Sequence, residues 1–268
     1  MKKKHLAGLL AGLAISTSAF ATPSFTWNLN PSTDLPGPVS GSYSFNSGGE
    51  VVNAYGFSTG SSDGSGKFLK QTLTLWDGGL GIKTSGSSNE SSSPNHAADN
   101  EGKDELFVFE FSDADYIATG FQIGWRGDAK PDIRVWIGGD EAIDFTNACF
   151  VGCANTLSSL GFTSFLFENV NTNTTQSLVD GLSGKYLIIA ADYSVADGQS
   201  CSSDWVKKGK SWVKVETCTP TYKNDYFKLS QLTGTEPPEI KVPEPASLSL
   251  IALAMFGLVW ARRRTATV

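Results

Sequence analysis

Glu105-Leu106-Phe107-Val108-Phe109-Glu110-Phe111 decides the fold, together with Ile117-Ala118-Thr119-Gly120-Phe121-Gln122-Ile123-Gly124-Trp125 and Ile133-Arg134-Val135-Trp136-Ile137. Phe107, Phe109 and Phe111 fall on one side of an extended chain. Thr119, Phe121, Ile123 and Trp125 alternate with Ala118, Gly120, Gln122 and Gly124, and Ile133, Val135 and Ile137 alternate with Arg134 and Trp136. A period of two is the pattern of strands with one face in a core. Leu187-Ile188-Ile189-Ala190-Ala191 is apolar throughout and reads as a strand covered on both faces. Further strands are expected at 25–29, 43–45, 51–57, 68–75, 212–215 and 226–229. Turn-like stretches lie at 58–66, 85–95, 169–175 and 233–238. No body segment holds a capped helical pattern over three turns, although 144–159 has room for short helices. About ten regularly spaced strands predict an all-β fold, an antiparallel β-sandwich with a jelly-roll-like arrangement.

The two ends of the chain differ from this body. Lys2, Lys3 and Lys4 precede an apolar run over 6–15 and the small-x-small step Ala19-Phe20-Ala21. That order predicts a signal peptide over 1–21, hence the Sec export machinery and signal peptidase as partners. At the other end, Val242-Pro243-Glu244-Pro245 leads into an apolar run over 246–261 and then Arg262-Arg263-Arg264. Proline fixes φ and removes a donor, so the Pro-Glu-Pro step is extended and readable. The apolar run of 16 residues is expected to form a transmembrane helix, short against the roughly 20 residues of a full span. The arginines favour a cytoplasmic C-terminus. The domain reading is therefore a signal peptide over 1–21, a β-sandwich over 22–235, a stiff linker over 236–241 built on Glu236-Pro237-Pro238-Glu239, and a sorting segment over 242–268.

Pro243, Glu244 and Pro245, the apolar run, and Arg262, Arg263 and Arg264 together resemble the PEP-CTERM sorting signal of Gram-negative bacteria. The resemblance implies exosortase as a partner, an inner-membrane-tethered intermediate, and a final place at the cell surface or in the extracellular matrix. Within the body, Gly79-Leu80-Gly81-Ile82, then His96 shortly before Asp99-Asn100, then Asp104 before an aromatic strand, resembles a pattern of PEP-CTERM surface proteins. Tyr226-Phe227-Lys228-Leu229 resembles the closing strand of one such family, which places the likeness at about 73–232. It carries no catalytic residues with it.

The totals bound the function. Of 21 basic residues, Lys2–Lys4 and Arg262–Arg264 belong to the terminal signals, and of 27 acidic residues only Glu244 does. The exported body keeps 15 against 26, a net charge of −11. Such a surface is unsuited to phosphate neutralisation, so no nucleic-acid partner is expected. The cysteines number four, Cys149, Cys153, Cys201 and Cys218. In an oxidising compartment an even count predicts two disulfides, and nearest-neighbour pairing gives Cys149–Cys153 and Cys201–Cys218.

Candidate chemistry is sparse. His96 and Asp99 offer a base and an orienting carboxylate for a secreted hydrolase, but no serine sits in a Gly-x-Ser-x-Gly elbow. The blander expectation is that they tie a loop to the sheet through hydrogen bonds to the backbone. Asp99, Asn100 and Asp104 are hard oxygen donors suited to Ca²⁺, without the twelve-residue spacing of an EF-hand; no other cofactor is expected. Trp205-Val206-Lys207-Lys208-Gly209-Lys210-Ser211-Trp212-Val213-Lys214 predicts a basic, aromatic ribbon turning near Gly209. Trp205 and Trp212 either pair across that ribbon or offer ring faces to an exopolysaccharide. The functional expectation is a non-catalytic, exosortase-processed surface or matrix protein, with a carbohydrate-binding module as the alternative and a hydrolase behind it.

Overall fold

The computed structural model describes residues 24–30, 37–39, 41–84, 96–112, 116–127, 129–178, 182–192, 194–236 and 255. Eighteen strands run through them: β1 Ser24–Asn28, β2 Gly37–Val39, β3 Ser42–Ser47, β4 Glu50–Ser58, β5 Leu69–Trp76, β6 Gly79–Lys83, β7 Ala98–Asp99, β8 Glu105–Phe111, β9 Ile117–Arg126, β10 Ile133–Gly138, β11 Ala148–Cys149, β12 Asn155–Thr156, β13 Thr163–Phe167, β14 Gln176–Ser177, β15 Tyr186–Ala191, β16 Gly198–Lys208, β17 Ser211–Thr221 and β18 Tyr226–Thr235. The order of hydrogen-bonded neighbours is β13-β10-β15-β8-β4-β5-β6-β18-β9-β14, with β3 on β4, β2 on β5, and β1 and β7 on β18. Every pair in this sheet is antiparallel.

The two sheets expected of a sandwich are thus one continuous sheet that bends at the β4–β5 pair and folds its halves onto each other. β4 is the reason: its start pairs with β3, while Gly56, Phe57 and Ser58 pair with Gln71, Lys70 and Leu69 of β5. The halves meet through ring contacts, Phe107 against Phe227 at 6.0 Å and Trp27 against Phe111 at 5.7 Å. At the far ends of the sheet, Phe121 of β9 packs edge-on against Phe167 of β13 at 5.3 Å, so the sheet is nearly closed.

The alternation read from sequence is realised in β8 and β10, whereas in β9 a register shift at Thr119 puts Ala118 into the core with Phe121 and Ile123 and leaves Thr119 and Trp125 only half-buried. Phe107, Phe109 and Phe111 of β8, Ile133, Val135 and Ile137 of β10, and Leu187, Ile189 and Ala191 of β15 enter the central core. Leu106, Val108, Ile188 and Ala190 point the other way into a second cluster, closed by Phe145, Ala148, Leu157 and Phe162. This is why β15 is apolar throughout: all six of its residues are buried. Each fully buried phenylalanine or leucine contributes about 1.5–3 kcal/mol by leaving water. The covering segment over 139–162 contains no α-helix; a single 3₁₀ turn, Phe145–Asn147, is capped by Asp144, whose carboxylate accepts from the Thr146 N–H at 3.0 Å. Cys149 and Cys153 are bonded within it.

The structure adds strands that the sequence did not announce. β6 contains the Gly-Leu-Gly-Ile segment, β13 is a partly exposed edge strand, and β18 continues through Thr235 where a turn was expected from Thr233. Among the described residues no helix is long and apolar enough to cross a membrane. The expected signal peptide, the sorting segment over 242–268 apart from Met255, and all of the linker except Glu236 lie outside the described residues.

Candidate functional site

β16 and β17 form a two-stranded sheet of their own, separate from the main one. A two-residue turn at Gly209-Lys210, with Gly209 at φ +64°, sets Lys208 opposite Ser211. A residue with that φ matches the twist of the flanking strands, and glycine adopts it without a Cβ penalty. The register then places Trp205 opposite Lys214 and Lys207 opposite Trp212. The cross-strand tryptophan pair expected as the blander reading is therefore replaced by two tryptophan–lysine pairs, because the turn and not side-chain preference fixes the register. Successive residues alternate faces, so Trp205, Lys207, Trp212 and Lys214 share one face, and Val206, Val213 and Val215 the other. Trp205 is 64% and Trp212 62% exposed. Cys201 and Cys218, directly opposite in this register, are bonded and staple the ribbon in its base-proximal third. At its base the Asp197 N–H donates to the Thr221 carbonyl at 2.9 Å, and the Lys223 N–H donates to the Asp197 carboxylate at 2.6 Å.

The His96 loop does a different job. Its ring stacks on Trp76 at 5.5 Å and 17°. A Cβ on Gly81 would collide with the His96 carbonyl oxygen, and one on Gly79 with the Leu229 carbonyl oxygen. The Gly-Leu-Gly-Ile motif is explained by this close approach of three backbones, which a side chain at either glycine would prevent. Asp99 pairs with Tyr226 in the β7–β18 ladder, and its carboxylate accepts from the Glu101 N–H at 2.9 Å. Asp99 thus meets the expected hydrogen bond to the backbone, whereas His96 is held by its ring stack.

Of the three oxygen donors considered for calcium, Asp99 and Asn100 each accept from a different backbone N–H. Asn100 is buried, and its side-chain oxygen accepts from the Asp225 N–H at 2.8 Å. The Asp104 N–H donates to Thr59 Oγ1 at 3.0 Å. Burial pushes the Asp104 carboxyl up to about 6, with the charges of Asp192 and Asp63 adding to the rise. Among the described residues, the one set of three Asp, Glu, His or Cys ligand atoms close enough for a shared ion is Cys201, Glu216 and Cys218, and there the two sulfurs are bonded to each other.

Two features were missed in the sequence. Asp132, Asp192 and Asp225 are buried near the ribbon's base. Burial raises Asp132 and pushes Asp225 up to about 7. Burial acts on Asp192 in the same direction, but hydrogen bonds from Arg134 and Ser194 hold it below the usual carboxylate range. Each of the three adjoins a strand end, β10, β15 and β18 in turn, and an aspartate at that position was the available signal. The second feature is a cavity of about 240 Å³ under the covering segment. Glu110 centres it, accepting from Tyr55 Oη at 3.1 Å and Tyr186 Oη at 3.4 Å and facing Lys185 Nζ at 3.3 Å. Burial raises both tyrosines, Glu110 adding to the effect. All of this glutamate's close partners come from its own neighbours in the sheet.

Pro243, Glu244, Pro245, Arg262, Arg263 and Arg264 lie outside the described residues, and for them the comparison with known families decides. No curated protein and no solved structure matches the chain. Residues 241–264 match the family model of the PEP-CTERM protein-sorting motif, so the chain carries the sorting signal that exosortase recognises and is an exported protein processed at the membrane.

Proposed function

We propose that this is a non-catalytic protein of the cell surface or extracellular matrix of a Gram-negative bacterium. It crosses the inner membrane through the Sec machinery and loses residues 1–21 to signal peptidase. The apolar run over 246–261 then holds it as a transmembrane helix until exosortase acts at Pro243-Glu244-Pro245. The match over 241–264 carries this reading. The body supports it: one antiparallel sheet, which we read as jelly-roll-like, sealed over a core of large aromatics and stapled by two disulfides, suits an exposed and oxidising location. Asp99 and Asn100 of the His96 loop accept from backbone N–H groups, which favours binding or structure over hydrolysis.

A second reading, a carbohydrate-binding module, is favoured by one observation. Trp205 and Trp212 lie on the same face of an exposed ribbon. The test of the main reading is fractionation of the producing cells with antibody to the body. Surface or medium recovery of a form lacking Arg262–Arg264 is expected, whereas an uncut form confined to the inner membrane would refute it.

A further inference from the structure

Among the described residues the ribbon is built unlike any other element. Gly198–Lys208 and Ser211–Thr221 are exposed almost throughout, yet carry two tryptophans and three valines. Eleven residues at about 3.3 Å each give an arm about 35 Å long. An arm of this length kept only as a loop has no need of indoles in water. Its disulfide also spends an oxidative cross-link on a segment outside both hydrophobic cores.

Charge separates the arm from the body. Lys207, Lys208, Lys210 and Lys214 against Asp204 and Glu216 give the ribbon +2, whereas the rest of the exported body, with 11 basic and 24 acidic residues, carries −13. The lysines are also placed in register with the rings. Trp205 stands opposite Lys214 and Lys207 opposite Trp212, so one face shows a two-by-two checkerboard of indoles and ammonium groups, with Glu216, opposite Ser203, the one carboxylate on that face toward the base. Directly opposed residues lie about 4.5–5.5 Å apart and diagonal ones about 7–8 Å. Each ring is thus bordered by a cation on two sides.

We propose that this checkerboard is a binding face for an acidic polysaccharide, a sugar chain bearing carboxylates. The inference rests on the carbohydrate-binding reading above. Pyranose rings present flat C–H faces that stack on tryptophan, and a uronate carboxylate sits at the ring edge, where the neighbouring ammonium meets it. An uncharged glycan would use the indoles alone and leave the register of the lysines without purpose. The Cys201–Cys218 bond and the two-residue turn hold the four side chains in place before binding, which lowers the ordering cost.

The experiment uses the full chain purified in detergent, with polygalacturonate, its fully methyl-esterified form and dextran as probes in isothermal titration. Binding to polygalacturonate is expected, weakening as salt rises from 50 to about 300 mM, where screening shortens the reach of the lysines. K207Q/K214Q and W205A/W212A are each expected to lower affinity at least about tenfold, equivalent to about 1.4 kcal/mol. W205F/W212F, which keeps ring faces, is expected to retain most of it. Intact Cys201–Cys218 linkage and an unchanged melting temperature establish that the variants are folded. Equal binding to dextran or to the methyl ester, with K207Q/K214Q unaffected, overturns the acidic-glycan inference and leaves the carbohydrate reading standing. Binding to none of the three overturns both. Ribbon-dependent binding to vesicles of anionic phospholipid in place of polygalacturonate, or ribbon-dependent self-association seen by light scattering, assigns the face to a membrane or to a second copy and also overturns it.

Discussion

Replacing Asp225 with asparagine isolates the cost of a carboxylate buried where the ribbon joins the body. Asp225 is 3% exposed, its Oδ1 has no hydrogen-bond partner, and burial pushes its carboxyl up to about 7, with Asp132, Asp197 and Asp192 adding to the rise. In the unfolded chain an aspartate titrates near about 3.9. Below about pH 4 both states hold the proton, and the group is neutral in its effect. Between about pH 4 and 7 the native state keeps a proton that the unfolded state releases, so stability falls as pH rises through that window. Above about pH 7 the whole penalty is present. Three pH units at about 1.4 kcal/mol each set a ceiling of about 4 kcal/mol, which solvent near the ribbon's base reduces to about 2. Asparagine keeps an acceptor for the Asp132 N–H that Asp225 now receives, and it removes the charge. D225N is therefore expected to match the parent at pH 4 and to melt about 4–8 °C higher at pH 8 in a body of this size. Thermal unfolding by circular dichroism with EDTA present measures both. A variant less stable than the parent at pH 8 would refute the reasoning. So would a parent that calcium stabilises by the same amount while D225N is indifferent, since a metal would then be neutralising the carboxylate.

Two further outcomes follow from the packing. Gly81→Ala is expected to destabilise the body by about 3 kcal/mol or more, because the added methyl meets the His96 carbonyl and backbone must move; a melting temperature within 2 °C of the parent would contradict the close approach. Reducing the ribbon's staple with C201S/C218S is expected to raise amide exchange along Gly198–Thr221, losing a loop-closure term of about 3 kcal/mol, while the body's melting temperature stays put. A fall in the body's own transition would show that the ribbon is part of the core.

Where one residue's environment depended on its immediate neighbours, the sequence was readable. The alternation in β8 and β10 and the unbroken apolar run of β15 follow from the period of a strand and from cover on one face or two, while the bulge at Thr119 that switches the faces of β9 has no signal in the alternation itself. β13 was missed because Thr163-Ser164-Phe165-Leu166-Phe167 lies at a sheet edge, half-exposed and without strict alternation. β6 was noticed as a motif and not as a strand, since glycines weaken the strand signal even where contact with other backbones requires them. The ribbon was legible but its register was not. Pairing Trp205 with Trp212 assumed a side-chain preference, whereas the two-residue turn at Gly209-Lys210 dictates Trp205 against Lys214. Asp132, Asp192 and Asp225 are far apart in the chain and gather only when the sheet closes, so no local pattern could have placed them together.

The fate of the C-terminal segment tests the central claim most directly. Pro243 and Pro245 keep the segment before the apolar run extended, and alanine at both would let a helix grow back through Glu244. Intact mass of the protein recovered from the cell surface is expected to show a parent chain ending before Arg262, while P243A/P245A accumulates at full tail length in the inner membrane with its body folded. A surface-recovered parent that still carries Arg262, Arg263 and Arg264, or a P243A/P245A variant that reaches the surface as efficiently as the parent, would contradict the assignment of residues 241–264 as a working sorting signal.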